Sequence, residues 1–205
     1  METATGEAEE QAATTMDSPA LRQSDAPADA KDEKHLVMKR ILAAHEQWFD
    51  VQRGYGYAGR TFPGYAEFHS YGEKYVLVKR AKLWEANTHE YVFFVEAEDL
   101  DEAQVAAWVD FMKSDGLKKV TLEKDHMSSA ISLVIIADSC TDEARRLVRK
   151  TRYRKDFAFG FRGWADLRLA VADISTQSVC TNGAGKQLTE TLTRALRTPA
   201  RQNSN

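Results

Sequence analysis

Hydrophobic positions recur at two spacings along the chain, and these spacings predict both helices and strands. Between Glu33 and Gln52 the apolar residues return every three to four positions, as on one face of an amphipathic helix. We expect this helix to end at Gly54, because glycine readily takes the left-handed conformation that closes helices. Three following segments are rich in β-branched and aromatic residues and are typical of strands: Tyr65 to Ser70, Tyr75 to Trp84 and Glu90 to Glu98.

The second half of the chain alternates between helical and extended patterns. Asp99 followed by Glu102 resembles a capping box and predicts the start of a second helix. The segment from Ala130 to Ala137 is apolar at nearly every position, which is typical of a strand in the middle of a sheet. A third helix is predicted to begin at Thr141, and a fifth strand is predicted from Trp164 to Asp173, with Ala165, Leu167, Leu169 and Val171 pointing inward.

The predicted order of elements is helix, three strands, helix, strand, helix, strand. Short connections join the first three strands, so we expect them to form an antiparallel meander. The sequence therefore predicts an α/β or α+β fold, with a single mixed sheet of about five strands covered by helices.

Charge is unevenly distributed and divides the chain into three parts. Residues 1–33 hold nine acidic and two basic side chains and no aromatic one, so a disordered acidic tail is predicted there. Residues 34–182 are expected to form a single domain. Residues 183–205 hold four basic side chains and one acidic one, which predicts a basic C-terminal helix or tail whose apolar face is Leu188, Leu192 and Leu196.

Targeting signals and cysteines narrow the expected location. The first residues are acidic and lack the apolar core of a signal peptide. The longest apolar runs fall far short of the roughly 20 residues that span a bilayer. The two cysteines, Cys140 and Cys180, have no C-x-x-C spacing. We therefore expect a cytoplasmic protein that has no membrane partner.

The stretch Gly54-Tyr55-Gly56-Tyr57-Ala58-Gly59 has the G-x-G-x-x-G spacing of a dinucleotide-binding loop. Such a loop needs a strand before it and a helix after it, because the helix N-terminus supplies the N–H groups that hold the phosphates. Here a helix is predicted before the glycines and a strand after them, so we interpret the glycines as a helix cap and tight turns. Candidates for a stacking and hydrogen-bonding surface are Tyr55, Tyr57 and Arg60.

Residues 145–155, RRLVRKTRYRK, contain seven basic side chains and no acidic one. One interpretation is a solvated helix face, with cations near the negative end of the helix dipole. The other is a surface for nucleic acid or another polyanion, since the planar guanidinium group suits phosphate. The acidic tail would be an internal competitor for that surface. The candidate binding residues are Arg145, Arg149, Lys150, Arg152 and Arg154.

The element order over about residues 34–140 resembles the core of the restriction-endonuclease-like superfamily. This resemblance implies a nuclease in which an acidic residue and a Glu-x-Lys or Asp-x-Lys motif hold Mg²⁺ and a nucleophilic water. The third predicted strand has Glu96-Ala97-Glu98 and departs from the motif, because no lysine follows the first acid by two residues. A substitute metal site would use Glu67, Lys79, Glu96 and Glu98.

Two functions stay open at this point, and the sequence leaves open whether the protein is an enzyme. The first is a cytoplasmic binding or regulatory domain with no cofactor and no metal site. Its partner would be nucleic acid, another polyanion or a protein. Its ligand surface would combine the glycine-tyrosine stretch with the arginine-rich helix, and the acidic tail would modulate access. The alternative is a divergent or inactive nuclease, for which Mg²⁺ would be the only cofactor.

Overall fold

A computed structural model describes residues 28–69, 88–122 and 126–197 of the chain. The predicted strand from Tyr75 to Trp84 and most of the acidic tail lie outside these residues. Four helices and seven strands occur in the described part. In chain order they are α1 (Ala28–His45), β1 (Asp50–Tyr57), β2 (Arg60–His69), β3 (Thr88–Leu100), α2 (Glu102–Ser114), β4 (Ser128–Cys140), α3 (Asp142–Lys150), β5 (Arg154–Asp156), β6 (Trp164–Asp173), β7 (Ser178–Thr181) and α4 (Thr189–Arg197).

All seven strands belong to one mixed sheet with the order β1-β2-β3-β4-β6-β5, and β7 also pairs with β6. The first three strands are antiparallel neighbours, whereas β3, β4 and β6 run parallel to one another. The apolar strand β4 is central, as its composition predicts. The mixed α/β sheet is confirmed, but it has seven described strands and not about five.

The first helix is shorter than predicted, and the glycine-tyrosine stretch is a β-hairpin. Helix α1 ends at His45, and β1 follows from Asp50. Tyr57 pairs with Arg60 across a two-residue turn, in which Ala58 and Gly59 have φ angles of 48° and 73°. Positive φ at both central residues is typical of the type I′ turn that suits a twisted hairpin. The prediction that Gly54 caps a helix is therefore wrong, because Gly54 lies within β1.

Two hydrophobic cores lie on the two faces of the sheet. Helices α2 and α3 cover one face and helices α1 and α4 cover the other. Side chains alternate between the faces along each strand, so every described strand except the exposed β5 contributes to both cores. The predicted inward positions of β6 are at most 2% exposed, which confirms them, and the three predicted leucines of the C-terminal helix are buried as well.

Side-chain caps fix where the helices of the first face begin. Asp101 is the N-cap of α2: its carboxylate accepts a hydrogen bond from the N–H of Gln104 at 2.7 Å, and the side chain of Gln104 accepts one in return at 3.0 Å. The capping box thus starts two residues later than predicted from Asp99. Thr141 caps α3 as predicted, since its hydroxyl oxygen accepts from the N–H of Ala144 at 3.2 Å.

Candidate polyanion-binding surface

The outer edge of β6 is shared between two short strands. β5 pairs with residues 164–166 and β7 pairs with residues 170–173. In the gap between them, the N–H of Leu167 donates to the carbonyl of Tyr153 at 3.0 Å. The side chain of Asn182 takes the place of a strand in the rest of the gap. Its amide nitrogen donates to Leu167 O at 2.8 Å, and its amide oxygen accepts from Leu169 N at 3.0 Å.

Asn182 also fixes the segment that follows α3. Its amide nitrogen donates to Thr151 O at 3.3 Å, and its oxygen accepts a second hydrogen bond from Gly185 N at 2.8 Å. The side chain is 1% exposed, so these partners satisfy it without water. Beside it opens a cleft of about 230 Å³, lined by Thr151, Arg152, Tyr153, Arg154, Asp166, Leu167, Asn182 and Ala184.

Three of the seven cations in residues 145–155 are engaged in ion pairs. Arg145 turns inward, pairs with the buried carboxylate of Asp173 and donates to Ser178 Oγ at 2.9 Å. Arg146 pairs with Glu143 on the same helix. Arg154 makes a two-pronged contact with Asp166, at 2.7 and 2.8 Å. Arg145 and Arg154 therefore already have carboxylate partners within the fold.

The other four cations of this segment form what we call the cationic patch: Arg149, Lys150, Arg152 and Lys155. All four are exposed, and within the described residues none of them forms a salt bridge. Arg149 and Lys150 lie in the last turn of α3, where the helix dipole stabilises positive charge. All four cations of the patch are therefore left exposed and without an ion-pair partner among the described residues.

Tyr55, Tyr57 and Arg60 lie at the other end of the sheet and are occupied by internal contacts. The Nζ of Lys119 lies 5.6 Å from the ring centre of Tyr55 and 5.7 Å from that of Tyr57. The guanidinium of Arg60 lies 4.9 Å from the ring centre of Trp108 in α2. Strands β2, β3, β4 and β6 separate β1 from β5. The glycine-tyrosine stretch and the arginine-rich segment therefore lie at opposite edges of the sheet.

The carboxylates of the substitute metal site do not come together. Glu67 of β2 lies opposite Tyr91 of β3 and accepts a hydrogen bond from Tyr65 at 2.7 Å. Glu96 lies five residues beyond Tyr91, which corresponds to roughly 17 Å along the strand. It also points to the opposite face, where it contacts His35 of α1 at 2.9 Å.

Glu98 shares the face of Glu96, because side chains two residues apart on a strand point the same way. Lys79 lies outside the described residues. Within the described residues, no three His, Cys, Asp or Glu side chains are grouped so that they could hold a metal ion. Glu67, Glu96 and Glu98 therefore do not converge as the metal site of a nuclease requires.

Sequence reasoning missed the features that shape this edge. Asn182 gives no signal in a single sequence, since its role depends on backbone groups of Thr151, Leu167 and Leu169. Phe159 and Phe161, which follow the arginine-rich segment in the sequence, are 100% and 92% exposed. The sequence signal for them is a glycine-rich turn, since Phe161 lies between Gly160 and Gly163 and Phe159 directly precedes Gly160.

A family model described as a domain of unknown function (DUF8052) matches residues 33–194. The chain belongs to this family. The matched range begins within α1 and ends within α4, so it includes all the strands described above. The family description names no activity. No curated protein and no solved structure matches the chain. Among the described helices, none is long and apolar enough to cross a membrane.

Proposed function

We propose that this member of the DUF8052 family is a binding domain for phosphate-bearing polyanions, with nucleic acid as the leading candidate. The observation that carries the proposal is the cationic patch, in which Arg149, Lys150, Arg152 and Lys155 are exposed and have no carboxylate partner among the described residues. Like charges held close together repel one another, and a row of phosphates would relieve this repulsion while releasing counterions. In this proposal the protein acts in a reducing compartment such as the cytoplasm, which suits its two free cysteines.

The rigid support beneath the patch favours the same function. Arg145 ties α3 to Asp173 and Ser178, and Asn182 holds the carbonyl of Thr151 just after the helix. β5 continues this segment as a strand paired with β6. A ligand would therefore meet cations on an ordered backbone, and binding would lose little entropy from ordering the chain.

The acidic N-terminal residues give the proposal a regulatory element. Residues 1–27 hold six acidic side chains and one basic one, and they lie outside the described residues. Their charge is complementary to that of the cationic patch, so they would compete with an anionic ligand for it. Because this competition would be electrostatic, it would weaken as the salt concentration rises.

The test is fluorescence anisotropy of labelled single-stranded and double-stranded oligonucleotides, titrated with the full chain at several salt concentrations. If all four patch cations contact phosphates of duplex DNA, the logarithm of the affinity falls against the logarithm of the salt concentration with a slope of roughly 3.6. The double variant Arg149→Glu with Arg152→Glu should abolish binding at moderate salt.

A matched control reverses two exposed cations on the opposite face of the sheet, Lys39→Glu with Arg197→Glu, and alters the net charge equally. This control should bind more tightly than the patch variant. The proposal would be overturned if the wild-type chain does not bind at low salt, or if the two double variants lose affinity to the same extent.

A further inference from the structure

Two phenylalanine side chains stand in solvent at the tip of the loop between β5 and β6. Phe159 is 100% exposed and Phe161 is 92% exposed, whereas Phe157 at the base of the loop packs against the core. We call Phe159 and Phe161 the aromatic tip. Isolated exposed apolar residues are common, but two bare aromatic rings two positions apart form a concentrated apolar feature.

Backbone hydrogen bonds hold the loop that carries the aromatic tip. Phe157 N donates to Gly163 O at 2.9 Å, and Arg162 N donates to Phe157 O at 3.1 Å. Gly163 has a φ of 76°, and a Cβ there would lie 2.1 Å from the carbonyl oxygen of Met127. The loop is thus anchored at its base, while its two rings project from it without contacts to the core.

The backbone at the tip is itself unusual. Ala158 and Phe159 have φ angles of 48° and 55°, in the left-handed region that residues other than glycine rarely adopt. Such conformations persist when the surrounding structure enforces them, and they are frequent at binding sites. Here the enforced conformation directs a phenylalanine ring into solvent.

Cations flank the aromatic tip on both sides along the chain. Lys155 of the cationic patch precedes it and Arg162 follows it directly, and both are exposed. We propose that the aromatic tip stacks on the bases of a single-stranded nucleic acid whose phosphates contact Lys155, Arg162 and the rest of the cationic patch. This inference rests on the proposed function and specifies the class of its ligand.

A single strand fits these features better than a duplex or a bilayer does. In a duplex the base faces are already stacked on one another, whereas a single strand offers them to aromatic rings. In a bilayer the rings would enter the apolar layer, which offers their faces no flat partner to stack on. A single strand alternates phosphate and base, which suits a cation adjacent to a ring.

The experiment compares two probes of equal length by fluorescence anisotropy: an oligothymidylate and an abasic oligonucleotide that keeps the phosphates but lacks the bases. The full wild-type chain should bind the oligothymidylate at least about tenfold more tightly. The variant Phe159→Leu with Phe161→Leu keeps apolar bulk but removes the ring faces, and should lower affinity for oligothymidylate to the abasic level. Phe159→Tyr with Phe161→Tyr keeps the rings and should retain wild-type affinity.

The outcomes separate this inference from the proposed function. Equal wild-type affinity for the two probes would overturn the stacking inference and leave the polyanion surface in place, whereas no binding to either probe would overturn both. Sedimentation with phosphatidylserine vesicles tests the alternative that the aromatic tip binds a lipid surface. Vesicle binding that the leucine variant keeps, together with equal affinity for the two oligonucleotides, would assign the tip to a lipid surface instead. Since both rings are exposed, every variant should melt at the wild-type temperature.

Discussion

Arg168 of β6 donates a hydrogen bond from Nη1 to Oε2 of Glu90 in β3 at 2.7 Å, across the intervening strand β4. Glu90 is fully buried, and Ser132 of β4 donates a second hydrogen bond to its other oxygen at 2.6 Å. The three side chains thus form a polar row across the parallel strands. A buried carboxylate is tolerated only when its oxygens are paired in this way.

The variant Arg168→Met should destabilise the protein by about 3–5 kcal/mol, because it leaves a carboxylate buried without its cation. The measurement is the free energy of unfolding from urea denaturation followed by circular dichroism. Replacing both partners, as in Glu90→Leu with Arg168→Met, should restore much of that loss.

An ion pair on the surface is the control for this prediction. Arg194 and Glu190 form an exposed i,i+4 pair on α4 at 2.7 Å. Arg194→Met should therefore change the stability by less than about 1 kcal/mol. A loss for Arg168→Met as small as this would contradict the assignment of a buried, mutually dependent pair.

A second prediction concerns pH. His45 is 7% exposed and packs against the rings of Phe49 and Phe94, and its Nδ1 contacts Ile41 O at 2.8 Å. Burial lowers the pKa of this imidazole below its ordinary value, and Ile41 O and Glu90 oppose the shift more weakly. Below about pH 6.5 the unfolded chain therefore takes up a proton at His45 before the folded chain does.

Stability should consequently fall as the pH drops from 7 to 5, with a contribution from His45 of up to about 1.4 kcal/mol per pH unit. Urea titrations at several pH values measure this slope. His45→Leu should flatten it, whereas His35→Gln, which removes an exposed imidazole, should leave the His45 contribution intact. A slope that is unchanged by His45→Leu would refute the explanation.

A third prediction concerns the contact between α1 and β2. A Cβ on Gly64 would lie 2.4 Å from Cδ2 of Leu42, so glycine is required for this close approach. Gly64→Ala should cost about 1–3 kcal/mol of stability, because Leu42 must move from its packed position.

Gly56 on the neighbouring strand is the matched control, since a Cβ there would meet nothing within 4 Å. Gly56→Ala should leave the melting temperature nearly unchanged. Calorimetry of the two variants measures whether Gly64→Ala melts at a lower temperature than Gly56→Ala. Equal melting temperatures would show that the helix is not held as closely as described.

A fourth prediction concerns the acidic N-terminus. Deletion of residues 1–27 removes six acidic side chains and leaves α1 complete. If these residues compete for the cationic patch, the shortened chain should bind oligonucleotides several-fold more tightly at low salt and equally well at high salt. A full-length chain with those acids changed to Asn and Gln should behave like the deletion. If the neutralised chain binds like the wild type, charge competition is excluded.

The strands and caps that follow strong local rules could be predicted from the sequence. β4 and β6 were found because their apolar patterns are long and regular, and Thr141 was found because a threonine before two acids is typical of a helix start. β1 was missed because Trp48, Phe49 and Val51 continue the helical spacing of α1 past its actual end at His45. β5 and β7 have three and four residues, too few for a periodic pattern.

The sequence shows the candidate surface only as a run of basic residues and does not show which of them are paired with carboxylates. Which cations are free depends on carboxylates that are distant in sequence, such as Asp173 for Arg145 and Asp166 for Arg154. A helical pattern also placed all seven cations on one element, whereas α3 ends at Lys150 and the rest belong to a loop and a strand. Tertiary pairing of this kind leaves no trace in local periodicity.

The division of the outer edge of β6 between β5 and β7 also determines how other molecules can approach. An open sheet edge offers a ladder of N–H and C=O groups on which a foreign strand can add, in recognition or in aggregation. Here β6 is covered by two short strands and by Asn182, and each covering strand exposes only three or four residues of new edge. A partner that arrives at this side of the domain must therefore engage side chains and not extend the sheet.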